Sequence, residues 1–169
     1  LRFALEARRL MDGKKFDEAR DVVTAFAQHG QNMSKTQSAA TALGERSSWT
    51  RSFRALEVLA SDLKGSLVMV GPKDRIGIAY NWFASATDRQ HPATMMFPPM
   101  ILTPMASRLG EYYMAVGDPL EAIAAYQRAL TAFPNDMIAL LGLKDAYGKA
   151  KLPAEVEATS KQIEALRAR

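Results

Sequence analysis

"LGEYYMAVGDPLEAIAAYQRALTAFPND", residues 109–136, decides how the rest of the chain is read. It holds two helical stretches and the turns that end them. In "GDPLEA", Asp118 is placed to cap a helix, Pro119 to open it and Glu121 to sit in its first turn. A short acceptor side chain at the N-cap serves amides that lack an intrahelical partner, and proline fits the first helical position because its missing N–H is not needed there. In "FPND", Pro134 stops the second helix and Asn135 or Asp136 restarts the chain. Helices joined by such short turns run antiparallel and pack as hairpins.

Outward from this stretch almost everything reads as helix, because valines, isoleucines and leucines fall at helical rather than alternating spacing. Toward the C-terminus, helices are predicted over 104–116, 119–133, 137–149 and about 153–167, the last with Val156, Ile163 and Leu166 on its apolar side. Toward the N-terminus, "LRFALEARRLM" ends at Gly13, and a helix over 16–28 buries Ala19, Val22, Val23 and Phe26 before Gly30 ends it. Ser34 with Gln37 has the spacing of a capping box, followed by a weaker helix in "TQSAATALGERS". A strong pattern over 49–70 carries Phe53, Leu56, Leu59, Ala60, Leu63 and Leu67, and stops at Gly71-Pro72. A further helix over 74–89 puts Ile76, Ala79, Tyr80, Phe83 and Ala86 on one face.

The 109–136 stretch resembles a tetratricopeptide repeat, a helix–turn–helix unit of about 34 residues. Leu109-Gly110, Tyr113, Gly117, Ala122, Tyr126, Ala129 and Pro134 stand at the family's spacing, and only the large aromatic near the start is replaced, by Ala106. Small residues at Gly110 and Ala122 let two helices cross closely, and Tyr113 and Tyr126 fill the space around the crossing. A partial unit follows with Leu143, Tyr147 and a turn at Leu152-Pro153. Ala79, Phe83 and Ala86 repeat the small–aromatic–small spacing, and "KKFDEARDVV" repeats the turn and helix start with Ala19 as the small residue. An unrelated helical bundle is the alternative, and it would have to mimic both helices and both turns.

The resemblance implies an all-α fold of antiparallel hairpins stacked as a right-handed superhelix, an α-solenoid. One such domain over 1–169 is expected to comprise a divergent hairpin (1–30), divergent middle helices (34–90), an insertion (91–103), the best-matched repeat (104–136) and a partial repeat with a capping helix (137–169). The insertion accounts for the 43-residue interval from Ala79 to Ala122, which exceeds one standard repeat. It also implies that first helices line a concave face where partners dock. Here that face would carry Ser107, Glu111, Met114 and Ala115, then Leu141, Asp145, Gly148 and Lys149. The Lys and Asn that hold a C-terminal carboxylate in some relatives are replaced by Ser107, Glu111, Leu141 and Asp145. Two carboxylates repel such an end, so an apolar partner segment with basic character fits better.

Chemistry is hard to find. His29 and His91 stand alone near helix ends, carboxylates are scattered, and no phosphate loop, nucleophile elbow or metal motif occurs. The chain therefore reads as non-enzymatic and without a cofactor. With no cysteine, disulfides and thiolate sites are excluded, but the compartment stays open. The net charge of +4 is spread among interleaved acids and bases, so nucleic-acid binding is not expected. "MMFPPMILTPM", residues 95–105, is too broken by proline to span a membrane. Its Met95, Met96, Met100 and Met105, with Met114 and His91, offer a weak alternative as a Cu(I) or small-molecule site; apolar filler is the plainer reading.

The preferred function is a protein-interaction scaffold or adaptor binding a protein or peptide. A regulatory region of a larger enzyme or membrane assembly is the other alternative. Leu1 falls inside a helical pattern, which reads as an excerpt of a longer bacterial-style polypeptide. An uncovered apolar face on residues 1–30 would then pack on further sequence or promote self-association.

Overall fold

Eight α-helices and one short 3-10 turn make up the computed structural model, which describes residues 2–36, 43–91, 101 and 103–168. No strand occurs among the described residues, so the all-α expectation holds. The chain divides into two compact units, Leu1–Gln90 and His91–Arg169, where the sequence reading treats it as one array. The division falls where the proline- and methionine-rich stretch begins. Most of that stretch, including Met95, Met96 and Met100, lies outside the described residues.

In the first unit α1 (Arg2–Asp12) and α2 (Phe16–Thr36) form a hairpin, and α3 (Leu43–Met69) packs on both. Ala4, Ala7, Leu10 and Met11 of α1 meet Ala19, Val23 and Phe26 of α2 and Leu63 of α3 in one core. The reversal after α1 is carried by Lys14 at φ 58°, not by Gly13. α2 also passes through Gly30 rather than ending there. A helix-ending glycine works by adopting positive φ, and Gly30 does not. Ser34 is inside α2, where its hydroxyl donates to the Gln31 carbonyl, so it does not cap a helix; its proposed partner Gln37 lies outside the described residues. The weak helix and the strong one expected over 49–70 are one element from Leu43 onward.

α3 ends before Gly71-Pro72 as expected. The next turn is a 3-10 segment, Lys73–Arg75, and α4 (Gly77–Arg89) starts three residues later than predicted. α4 packs against α3 through Ala79, Phe83 and Ala86, all buried, whereas Tyr80 points outward. Gly65 of α3 makes that contact possible: a Cβ there would lie 2.4 Å from Phe83 Cε1.

The second unit holds α5 (Met105–Val116), α6 (Pro119–Ala132), α7 (Met137–Lys149) and α8 (Pro153–Arg167). Each helix packs on the next, and α5 also touches α7. Pro104 precedes α5 as its N-cap residue instead of opening it. Asp118 and Asp136 cap α6 and α7, accepting from the Glu121 and Ala139 amides at 3.3 and 2.8 Å. Between them Asn135 takes a left-handed conformation, φ 67°, so Asp136 and not Asn135 is the cap.

Three turns share one geometry. Gly117 (φ 86°), Lys151 (φ 60°) and Lys14 (φ 58°) each hold the left-handed position after a first helix. The next amide in each case bonds a carbonyl five residues back: Asp118 to Tyr113, Leu152 to Tyr147 and Lys15 to Leu10, at 2.9, 3.0 and 2.8 Å. This satisfies carbonyls that a helix end leaves unpaired. The hairpins α1–α2, α5–α6 and α7–α8 are therefore the same local structure.

Candidate partner-binding groove

Tyr126 organises the second unit. Its ring projects from α6 between α5 and α7 and is 3% exposed. A Cβ at Gly110 would stand 2.5 Å from Tyr126 Cζ, and one at Gly142 would stand 2.3 Å from the same atom. Both glycines are therefore required for the ring to pass between their helices. Ala122 and Ala129 on α6, with Ala139, Leu143 and Ala146 on α7, close the core around it.

The α5–α6 hairpin and the α7–α8 hairpin are in register at 34 residues. Leu109 recurs as Leu143, Tyr113 as Tyr147, Glu111 as Asp145, Gly117 as Lys151 and Pro119 as Pro153. A tetratricopeptide repeat model matches residues 106–146. This segment belongs to the tetratricopeptide repeat family. No curated protein and no solved structure matches the chain.

Leu109, Gly110, Ala122, Tyr126 and Ala129 are buried; Tyr113 is half-buried against the core; Gly117 makes the left-handed turn. Pro134 is exposed just beyond Phe133, where α6 has already ended. Ala106, in place of the usual large aromatic, is buried in the same core.

The groove residues fall into two groups. Glu111 is half-buried and accepts two bonds from Arg108 Nη1, at 3.0 and 2.8 Å. Met114 is half-buried and packs on the core, with Ala115 exposed beside it. On α7, Leu141, Asp145, Gly148 and Lys149 are exposed. Ile138, one turn before Leu141, extends that apolar surface. Ser107 departs from the expectation: it is completely buried and its hydroxyl has no hydrogen-bond partner among the described residues, so it offers nothing to a docking partner.

Glu111 and Asp145 both lie near enough to the phenol of Tyr126 to act on it electrostatically. Burial first, and then these two carboxylates, push its pKa well above the ordinary tyrosine range, while the Arg108 guanidinium pulls it back. The phenol therefore stays protonated and is a hydrogen-bond donor at neutral pH.

Gly142 and Arg108 were not legible as functional positions. The signal for Gly142 was its place inside a helix, where glycine costs stability and needs a packing reason. Arg108 stands 34 residues before it, at the same repeat position. Among the described residues no group of three or more His, Cys, Asp or Glu side chains could hold a metal, and no helix is long and apolar enough to cross a membrane.

Proposed function

We propose that the chain is a non-catalytic protein-interaction scaffold that holds a partner segment along the α5–α7 face of its repeat. The observation that carries this is the exposure of Ile138, Leu141 and Asp145 on one side of α7, beside Glu111 and Met114 of α5. Exposed apolar side chains flanked by charge are what a docking surface presents, with the apolar groups supplying affinity and the acids orientation. Two carboxylates favour a partner segment with basic residues among apolar ones.

The methionine reading loses ground on the residues described. Met105 is fully buried and Met114 packs on the core, so both are spent on packing. A photo-crosslinking amino acid placed at Leu141 tests the scaffold reading. The expected result is one dominant protein adduct that disappears in the Glu111→Lys, Asp145→Lys double variant. An adduct pattern unchanged by that charge reversal contradicts it.

A further inference from the structure

Tyr126 combines a ring buried between two glycines with a hydroxyl that makes no hydrogen bond to any other described residue. Ser107 Oγ is the only buried side-chain polar atom without a partner among the described residues, so the phenol oxygen is not sealed in and stays open to a group from outside. A Cβ on Gly142 would lie 2.7 Å from the phenol oxygen, which places that oxygen against α7. Gly110, on the opposite side of the ring, is followed directly by Glu111, and Asp145 lies one turn beyond Gly142. Glu111 and Asp145 hold the same place in successive hairpins, so the phenol has one carboxylate on each flank.

The charges are not equivalent. Arg108 holds Glu111 in a two-pronged contact, whereas Asp145 is exposed and makes no ion pair among the described residues. A net negative cluster remains, with an exposed carboxylate, a phenol oxygen and a second carboxylate already oriented by a guanidinium.

We propose that the cluster formed by Tyr126, Glu111 and Asp145 receives the guanidinium of an arginine in the partner segment. This deepens the scaffold reading and rests on it. Packed helices stand about 8–10 Å apart, and the acceptors here come from α5 and α7 with the phenol between them. A planar guanidinium presents five donors in a fork and can bond a carboxylate with two of them while a third reaches the phenol oxygen. The phenol keeps its proton, and its O–H is left to donate a hydrogen bond to a carboxylate oxygen. A lysine ammonium is a compact point charge and spans such a set less well.

The test uses the 169-residue chain and three probes: acetyl-Leu-Arg-Leu-amide and the same peptide with lysine or citrulline in the middle. Binding is followed by NMR, through the amides of Gly110, Gly142 and Asp145 and the ring of Tyr126. The arginine peptide is expected to bind roughly fivefold tighter than the citrulline peptide and tighter than the lysine peptide. Asp145→Asn and Tyr126→Phe are each expected to weaken it by roughly threefold or more. Asp145 is exposed, so its variant keeps the fold, and thermal melts check Tyr126→Phe. Equal binding of the arginine and citrulline peptides, lysine binding as well as arginine, or no shift with any probe overturns the proposal. Shifts confined to Ile138 and Leu141 without arginine preference overturn the arginine site and leave the scaffold reading standing.

Discussion

The hairpins α3–α4 and α5–α6 make the same crossing with different turns. In each, a ring on the second helix enters the space that a glycine leaves on the first: Phe83 against Gly65, Tyr126 against Gly110. In each, buried alanines sit one turn before and one turn after the ring, Ala79 and Ala86 in one and Ala122 and Ala129 in the other. Yet α3 is 27 residues long and joins α4 through a 3-10 turn, while α5 and α6 are 12 and 14 residues and join through Gly117 and Asp118. Tyr126 also has a second glycine, Gly142, on the helix that follows. The glycine–aromatic crossing is thus a local packing solution that helices of any length can use. A repeating unit needs in addition a fixed helix length, a fixed turn and room for the ring on the next helix.

That comparison is most exposed at the rings. Tyr126→Ala is expected to cost about 3–5 kcal/mol in urea denaturation, with Phe83→Ala in the same range. If Tyr126→Ala costs far less, the ring is not what joins the three helices. Next come the glycines. Gly142→Val forces a branched side chain into Tyr126 and is expected to cost about 2–4 kcal/mol. Gly30→Ala, where a Cβ meets nothing within 4 Å, should stabilise by about 0.5–1 kcal/mol. Equal effects at both sites would remove the packing argument.

The first unit has a polar tie of its own. Arg8 of α1 pairs with Asp62 of α3, whose side chain is 5% exposed and also accepts from Ser66 Oγ. Because Arg8 remains one-third exposed, Asp62→Ala is expected to cost only about 1–3 kcal/mol, less than a fully buried pair. The turns should respond more weakly still. Gly117→Ala is expected to lose about 1 kcal/mol, while Lys151→Gly and Lys14→Gly gain roughly 0.5–1 kcal/mol, because a left-handed backbone strains any side chain. Opposite signs at the equivalent positions would confirm that the three turns are one structure.

The smallest effect is alkaline. Unfolded, Tyr126 loses its proton near its ordinary value of 10; folded, it holds it to higher pH. Its contribution is complete below that value and is lost as pH rises above it. Tyr126→Phe should therefore lose less stability than the parent between pH about 8 and about 11, measured by urea midpoints.

The repeat itself was legible because its turns are written in residues with few alternatives: Asp118-Pro119, Gly117 and Pro134. The N-terminal turns were not, because Lys14 occupies a left-handed position that composition assigns to Gly13. Gly30 misled for the converse reason: glycine permits a helix end but does not enforce one. Ser107 was misplaced because repeat position alone does not reveal what covers a side chain. The Arg8–Asp62 pair depends on packing between helices distant in sequence, although an aspartate inside the apolar stripe around Leu63 was a signal. For the uncovered apolar face expected on residues 1–30, the one exposed large hydrophobic side chain among the described residues there is Leu5, 71% exposed between Arg2 and Arg9.

Crosslinking from two positions separates the units most directly. With the same photo-reactive residue at Leu141 in the repeat or at Ile78 in α4, both exposed, a discrete protein adduct that is lost in Asp145→Lys is expected from Leu141, and none that responds to that change from Ile78. An Asp145-insensitive adduct at Leu141, or a discrete adduct at Ile78 alone, would contradict the assignment of the groove to α5 and α7.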